Sequence, residues 1–440
     1  MEREKFGSRF AVIMAFAGSA IGLGNIWRFP YVVGKYGGAA FIIVYVIGTV
    51  VLSLPMLLSE TILGRRSRSN TFGAMSALAP KSAWRWISLP IVIAPLLVVS
   101  YYSVVGGWSV GYFLKSFSSD FAADPEAVPA MFEAFIASPW KPLIAHTVFL
   151  LLTAGIVLLG VKKGIEKFSK ITMPVLFLLI VAIIVYSLFL PGAGAGVRYL
   201  VKPDWSKLTA EAVASAIGQS FYSLSLGCGV LLTYASYVKE DENLLTSGVG
   251  TAVADVLFAV MAGFAVMPAV FACGIEPSGG PGLVFQSLPF VFCKMGGGIP
   301  WLGPLIGGIF FATILIAALT SSISMMEGAV AFLVDESSLS RRWATGIIFI
   351  VAWGIGACCA WSGGVFNFFD QMCSNYLMPF GALVFTIFVG WRMTGNDVWD
   401  EFTNGGTLRT NSRIFPFIRF LIRYVAPVGV LAIFLTNLFM

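Results

Sequence analysis

In the stretch GSAIGLGNIWRFPY, residues 18–31, Gly22 and Gly24 are separated by a single residue inside a long apolar segment. The segment around it, residues 10–36, exceeds the about 20 apolar residues that a helix needs to cross a bilayer. Gly22 and Gly24 are expected to interrupt that helix, because glycine weakens a helix interior. A broken helix leaves backbone N–H and C=O groups unpaired, and within a membrane a ligand, side chains or trapped water must satisfy them. The stretch therefore predicts a discontinuous transmembrane helix with a polar site at its break.

A second break of the same kind lies in QSFYSLSLGCGVLLTY, residues 219–234, where Gly227 and Gly229 repeat the glycine spacing. Five apolar segments fall within 10–190 and five within 209–391, so each break lies in the first helix of a five-helix half. Paired interrupted helices at matching positions of two halves point to a substrate site near the bilayer midplane. Half-helix N-termini suit a carboxylate, and freed carbonyls suit a cation.

Composition places the chain in a lipid bilayer. Charged residues make up 11% of the 440 residues and apolar residues 58%, and the mean hydropathy is +0.87. Soluble domains carry about 25% charged residues, and no soluble fold of this size hides so much apolar surface from water. This excludes a soluble enzyme, a disordered chain and a nucleic-acid binder, and it argues against an outer-membrane barrel, whose hydropathy signal is weaker. We expect an all-α polytopic membrane protein that is not an enzyme.

Eleven segments are long and apolar enough to be transmembrane helices, and we expect one transmembrane domain over residues 1–440. Helices 1–5 form a first repeat over 10–190, helices 6–10 form a second repeat over 209–391, and helix 11 stands apart. The predicted helices are 10–36, 39–63, 86–114, 142–160, 171–190, 209–237, 244–274, 301–334, 343–361, 364–391 and 414–438.

The positive charges predict the orientation. With the N-terminus inside, 20 of the 28 Lys and Arg residues lie on the inner side, 6 lie outside, and 2 lie in or beside the first helix. Loops on the cytoplasmic side carry the excess of Lys and Arg. We expect a multi-pass protein of the cell inner (plasma) membrane with a cytoplasmic N-terminus and, after eleven helices, a C-terminus outside.

Two outer segments are long, namely 119–141 and 275–300. The second is apolar and rich in Gly and Pro, so we expect it to fold as a cap that dips into an outer vestibule. A disulfide between Cys273 and Cys293 across this loop is left open, because the spacing alone does not decide it.

Charged residues within the predicted helices should face a partner or a water-filled cavity. Arg28, just beyond the first break, and Asp370, early in the tenth helix, can lie at the same depth, where an ion pair would close the outer path when substrate is bound. By the same logic Arg3 and Asp335 can form an inner gate, near Tyr237 at the end of the sixth helix.

Other polar groups point to cations. Asp255 has no positive neighbour in sequence, so a carboxylate at that depth favours a cation or a proton. Thr320-Ser321-Ser322 sets three hydroxyls on one turn of the eighth helix, which suits a small alkali cation, although such hydroxyls also bond back to the preceding turn. Glu60 and Glu327 are expected to cap backbone groups freed by the breaks.

These motifs resemble a known family. GSAIGLGNIWRFPY and the GKYGGAAFIIVY that follows it closely resemble the opening of the neurotransmitter:sodium symporter family, and SLSLGCG, ALTSSIS and FFDQMCSNYLMP extend the match across the chain. The resemblance implies the LeuT-type inverted repeat of five plus five helices with helices 1 and 6 broken. It also implies a sodium-coupled importer of an amino acid that works by alternating access, similar to bacterial members with eleven helices.

The resemblance implies two sodium sites, a substrate site and two gates. The first sodium site would use the Ala20 carbonyl, Asn25, Ser223, Asp255 and the substrate carboxylate. The second would use carbonyls of Gly18, Ile21 and Ala317 with hydroxyls of Thr320 and Ser321. Substrate would contact Ser19, Ala20, Gly22, Leu23, Gly24, Val98, Tyr102, Tyr222, Ser225, Cys228, Ser321 and Met325, with Tyr102 bonding its carboxylate and Tyr222 lying over it as a lid. The gates would be Arg28–Asp370 outside and Arg3–Asp335 inside, the latter supported by Tyr237.

Two departures from the family pattern refine the prediction. The family often has Asn where this chain has Asp255, and a fixed carboxylate beside the first sodium supplies the negative charge that chloride supplies in chloride-dependent relatives. Amine-transporting relatives have Asp where this chain has Gly22, so a substrate must bring its own carboxylate. We therefore expect no chloride requirement and an L-amino acid, with a large apolar or aromatic side chain suited to a roomy apolar pocket.

Two rival functions stay open. One is a proton-coupled amino-acid transporter of the same fold with Asp255 as the proton carrier, and the other is an amino-acid sensor that binds but does not transport. We expect a monomer or a weak homodimer.

Overall fold

The protein is described by a computed structural model over residues 4–117, 128–274, 284–285, 288–289, 291 and 301–439. Within these residues the regular structure is helical and no β-strand occurs. The helices are α1 (Arg9–Ala20), α2 (Gly24–Lys35), α3 (Ala39–Ser67), α4 (Thr71–Leu78), α5 (Trp84–Lys115), α6 (Val128–Ile136), α7 (Lys141–Leu158), α8 (Val161–Leu188), α9 (Ala193–Val201), α10 (Ala210–Ser223), α11 (Val230–Ala235), α12 (Leu244–Ala272), α13 (Leu302–Glu336), α14 (Arg341–Trp361), α15 (Gly363–Arg392), α16 (Gly395–Thr403) and α17 (Arg409–Thr436).

The described chain contains nine helices that are long and apolar enough to cross a membrane. The pair α1 and α2, bent by 51°, makes a tenth. The sixth predicted segment, 209–237, is divided into α10 and α11, which are each too short to be counted as a span. The all-α polytopic membrane fold is confirmed, whereas the count of eleven rests on the sequence.

The first break falls where the glycine pair predicts it. Between α1 and α2 the backbone is extended at Ile21, with ψ of 109°. Side chains satisfy part of the freed backbone, because the Gly22 N–H donates to Asn25 Oδ1 at 3.0 Å and the Gly24 carbonyl accepts from Gln219 Nε2 at 2.9 Å.

The second break lies between α10 and α11. Ser225, Gly227 and Gly229 all have positive φ, at 53°, 86° and 68°, a region that glycine tolerates best. Gly227 is also required for space, since a Cβ there would collide with the Met378 carbonyl. A Cβ at Gly381 would in turn collide with the Gly227 carbonyl. The broken segment therefore lies backbone to backbone against α15.

The long helices form a bundle with an apolar outer surface. α13 packs along α5, and α12 packs against α1, α8 and α9. Large apolar side chains such as Leu178, Ile350 and Val428 remain 67–70% exposed on the outside of the bundle. Such residues are stable there because the surrounding solvent is hydrocarbon and not water.

Several predicted features lie wholly or partly outside the described residues. These are Arg3 of the inner gate, Cys293 of the candidate disulfide, and much of the outer segments 119–141 and 275–300. Within the second outer segment, Phe285 is buried, and its ring stacks on Phe132 with the centroids 5.5 Å apart.

Candidate functional site

A small cavity of about 30 Å³ lies between the two helix breaks. Such a volume holds one or two water molecules, so a large ligand can enter only if lining side chains move. The lining residues are Ala20, Gly22, Leu23, Gly24, Val98, Tyr102, Tyr222, Ser223, Ser225, Ser321, Met325 and Met378.

Most of the substrate residues predicted from the sequence line this cavity, and two do not. The Ser19 side chain instead donates to Ser324 Oγ at 2.8 Å, and Cys228 is buried outside the lining. Met378 lines the cavity although the sequence analysis did not assign it a role. The only signal for it was its place in the FFDQMCSNYLMP motif of the tenth helix.

Two hydroxyls, those of Tyr102 on α5 and Ser321 on α13, lie against the first break beside the cavity. Tyr102 Oη accepts a hydrogen bond from the Leu23 N–H at 3.1 Å, which holds the hydroxyl at the break. A Cβ built at Gly22 would lie 2.5 Å from Ser321 Oγ and 2.8 Å from Tyr102 Oη. The absence of a side chain at Gly22 therefore keeps these two hydroxyls open to the cavity.

Asp255 is the fully buried carboxylate of the site. It accepts hydrogen bonds from Asn25 Nδ2 at 2.8 Å, from Ser223 Oγ at 2.8 and 2.9 Å, and from Tyr45 Oη at 3.0 Å. Within the described chain no Lys or Arg lies within 4.0 Å of it. All its partners are neutral, so a bound cation would supply the missing positive charge.

A second group of oxygens lies between the first break and α13. Ser321 Oγ lies 3.2 Å from the carbonyl oxygens of both Ser19 and Ile21. Thr320 Oγ1 lies 2.9 Å from the Ala317 carbonyl oxygen and 3.5 Å from that of Ile21. The Ser19 carbonyl was not among the predicted cation ligands, because its direction depends on how the chain turns at the break.

The two groups of oxygens fit a small hard cation. One combines a carboxylate, an amide and a hydroxyl, and the other combines hydroxyls with carbonyls that an unwound helix releases. The carbonyls of Ser19 and Ile21 lie where α1 ends and the backbone becomes extended, so a cation bound to them would stabilise the break itself. The division of these residues into two separate sodium sites stays a prediction.

Glu60 lies on the second break, as the sequence predicts. Its Oε1 accepts the Gly227 N–H at 2.6 Å, and the residue is 1% exposed. Glu60 on α3 therefore satisfies a backbone donor that the broken sixth helix leaves without a helical partner.

Replacing Glu60 by Leu should lower stability, because Leu keeps the volume but removes the acceptor for a buried N–H. An unsatisfied buried donor costs about 1–3 kcal/mol. The midpoint of thermal unfolding in detergent measures the loss, and Glu60→Gln, which retains an acceptor oxygen, is the matched control. Equal midpoints for the two variants would rule out the capping role.

Arg28 and Asp370 are not paired on the outer side. They form no ion pair within 4.0 Å in the described chain, and the sequence predicts that pair for the substrate-bound state. The Arg28 guanidinium lies over the Tyr222 ring, 4.7 Å from its centroid, and Asp370 accepts from Ser374 Oγ at 3.4 Å. The aromatic face holds the guanidinium by a cation–π contact. A role of the two residues as an outer gate stays a prediction.

On the inner side Glu327 does not cap a helix break, which corrects the sequence prediction. It accepts from Tyr237 Oη at 2.7 Å and forms a bidentate ion pair with Arg341. Asp335 accepts from the Asn70 backbone N–H at 3.0 Å and from its side chain at 3.1 Å. The Arg3–Asp335 gate involves a residue outside the described part of the chain and stays a prediction.

The segment before α1 packs against Tyr234 and Tyr237 on the inner side. The Phe6 N–H donates to the Tyr237 carbonyl at 3.0 Å, and the Phe6 ring is buried against the rings of Tyr234 and Tyr237. Glu4 accepts from the Val161 N–H at 2.8 Å. The segment before α1 thus covers the inner end of the broken helices.

The sequence matches the family model described as the sodium:neurotransmitter symporter family over residues 3–125 and 136–440. It is 37% identical to the uncharacterized sodium-dependent transporter YhdH of Bacillus subtilis, over 98% of this chain and 97% of that protein. It is 32% identical to an uncharacterized sodium-dependent transporter of Haemophilus influenzae, over 100% of this chain and 99% of that protein.

The fold matches a solved structure over nearly its whole length. The crystal structure of MhsT in complex with L-phenylalanine superposes with a TM-score of 0.90 at 38% sequence identity, covering 99% of this chain and 100% of that chain.

Proposed function

The chain belongs to the sodium:neurotransmitter symporter family and is a sodium-coupled transporter with the LeuT-type fold; we propose that it imports an L-amino acid with a large apolar or aromatic side chain, without a chloride requirement. We place it in the inner (plasma) membrane with its N-terminus in the cytoplasm, on the charge asymmetry of its loops. The rest of the proposal rests on the cavity between the two breaks.

The absence of a side chain at Gly22 is the single observation on which the choice of an amino acid as substrate rests. At this position the cavity wall has no carboxylate to meet the ammonium group of an amine. An amino acid carries its own carboxylate, which Tyr102 Oη can bond and which can complete the shell of the cation beside Asp255. Its ammonium group can be met by backbone carbonyls at the break.

The preferred side chain of the substrate follows from the other residues that line the cavity. Val98, Tyr222, Met325 and Met378 make one wall apolar, and Met is unbranched and adapts to ligands of different shape. The L-phenylalanine in the MhsT complex supports the same class of substrate here. Since the cavity is small, the bound state requires Tyr222 and the two Met side chains to move outward.

Sodium and substrate should bind cooperatively in this proposal. Sodium orders the released carbonyls, and the substrate carboxylate then completes the first cation shell. By linkage each ligand raises the affinity of the other. The filled site favours closure on the outer side, and the sodium gradient and membrane potential supply the energy, about 2.3 kcal/mol per charge per 100 mV. Release inward requires the contacts of Tyr237 and Phe6 to open.

Uptake of radiolabelled L-phenylalanine into proteoliposomes, with an inward sodium gradient and competition by each other amino acid, tests the proposal. We expect saturable uptake that potassium does not support and that persists when gluconate replaces chloride. Uptake driven by a pH gradient without sodium would favour the proton-coupled alternative. Binding without uptake would favour the sensor, and no binding of any amino acid would reject the proposal.

A further inference from the structure

Three arginines without an ion-pair partner among the described residues lie on the segments where the end of α15 packs against α17. They are Arg392, Arg419 and Arg423. None of their side chains makes a hydrogen bond or an ion pair within 4.0 Å to any residue of the described chain. We call them, with Trp391 and Tyr424, the basic–aromatic cluster. Like charges held together without compensation raise the free energy of the protein unless an anion joins them.

Arg423 is held in place by aromatic rings. Its guanidinium lies 4.4 Å from the centroid of the Trp391 ring and 5.6 Å from that of Tyr424. Trp391 Nε1 donates to the Arg423 carbonyl at 2.9 Å, which fixes the ring. Arg423 Nε is buried and has no hydrogen-bond partner among the described residues. The side chain is thus oriented by stacking, and its charge is not neutralised by an ion pair within the described residues.

Arg419 adds a second positive group at the N-terminus of α16. Its guanidinium lies so close over Gly395 that a Cβ there would collide with it. The first backbone N–H groups of a helix have no partner within the helix and carry partial positive charge. The acidic residue of this turn, Asp397, is engaged by Arg66 at 2.6 Å and by Thr394 Oγ1 at 2.6 Å. Thr394 Oγ1 also accepts the Asp397 N–H at 3.1 Å, so the helix start is capped, and the Arg419 guanidinium beside it has no ion-pair partner within the described residues.

The surroundings of the cluster are apolar and exposed. Trp391 is 55% exposed, Phe417 62%, Phe420 52% and Tyr424 45%. Aromatic residues with a polar edge are typical of the boundary between headgroups and hydrocarbon. α17 continues from here as an apolar, lipid-facing helix. A ligand at this place therefore has a charged head at the arginines and an apolar body along α17.

From this geometry we propose that the basic–aromatic cluster binds the phosphate headgroup of an anionic phospholipid, whose acyl chains lie along α17. Arginine is the side chain best suited to phosphate, because its planar fork donates two parallel hydrogen bonds. With the N-terminus in the cytoplasm the cluster lies at the inner leaflet. The apolar rim favours a lipid over free phosphate, which would gain nothing from the exposed rings.

Native mass spectrometry of the detergent-solubilised full chain, titrated with an equimolar mixture of phosphatidylglycerol and phosphatidylcholine, tests the proposal. We expect the wild type to retain phosphatidylglycerol selectively. The Arg419→Gln/Arg423→Gln variant should bind it about 30-fold more weakly, because it removes two basic groups near an anionic headgroup. Arg342→Gln removes one exposed charge elsewhere on the same side of the membrane and should bind as the wild type does.

Other outcomes would overturn the proposal. Equal phosphatidylglycerol binding by the double variant and the wild type would place the lipid elsewhere. Displacement of the lipid by glycerol phosphate at similar concentration would show a site for a free phosphate compound. A dimer that the double variant loses without a change in lipid binding would show a contact between copies. If the double variant does not fold, Arg392→Gln, which changes an exposed side chain, should still weaken binding about five-fold.

Discussion

Sodium-driven uptake by an Asp255→Asn variant should depend on chloride, whereas uptake by the wild type should not. Asp255 is the buried carboxylate beside the proposed first sodium site, and its partners Asn25, Ser223 and Tyr45 are neutral. Removing one partner of a buried charge pair typically costs 3–5 kcal/mol, so without chloride we expect apparent sodium affinity to fall on the order of 100-fold. The hydroxyls of Ser223 and Tyr45 can rotate to accept from the new amide, so the variant should still fold.

Uptake measured against sodium concentration, with chloride or gluconate as the anion, separates the outcomes. The hydroxyls that now donate to Asp255 could donate to a bound chloride in the variant, which would restore the lost negative charge. Asp241→Asn makes the same chemical change at an exposed residue on the inner side and should leave both dependences unchanged. Undiminished sodium affinity in the Asp255→Asn variant, with no anion dependence, would show that the carboxylate does not serve the cation.

Replacing Gly22 by Ala should abolish substrate binding and transport while leaving the fold intact. The added Cβ would lie 2.5 Å from Ser321 Oγ and 2.8 Å from Tyr102 Oη, closer than nonbonded atoms approach. Both hydroxyls would have to turn away, and Ser321 would lose its contacts with the carbonyls of Ser19 and Ile21. One methyl group thus removes the proposed ligand of the substrate carboxylate and disturbs a proposed cation site.

Scintillation proximity binding of the amino acid that the uptake competition identifies, with and without sodium, measures the effect. We expect at least a 100-fold loss of affinity, on the order of 3 kcal/mol. Gly155→Ala is the matched control, because a Cβ there meets nothing within 4 Å. Wild-type affinity in the Gly22→Ala variant would place the substrate away from the first break.

The parts of the site that the sequence predicts are those that depend on the backbone. Glycine pairs within apolar segments mark where a membrane helix must open, and Asp255 is conspicuous because a charge at that depth is costly. The structure places both breaks where the glycines predict them. Glu60 caps the second break as expected, since a buried acceptor near free N–H groups has few other partners.

The features that were not predicted depend on how deep a side chain lies in the bundle and on which rotamer it adopts. The contact of the Arg28 guanidinium with the Tyr222 ring was not predicted, because the rotamer of a long side chain does not follow from residue spacing. Glu327 bonds Tyr237 and Arg341, because its helix turns it toward the inner cluster. Met378 reaches the cavity only because α15 packs directly on the second break. None of these distances is encoded in residue spacing along the chain.

The close approach of Gly227 to α15 ties substrate selection to the transport cycle. These two main chains touch with no room for a Cβ between them, so a shift of the inner half of the sixth helix must either move Met378 with it or break this contact. Met378 also lines the cavity. The size of the bound amino acid would then affect the reorientation step as well as binding, and selectivity would be visible in turnover as well as in affinity.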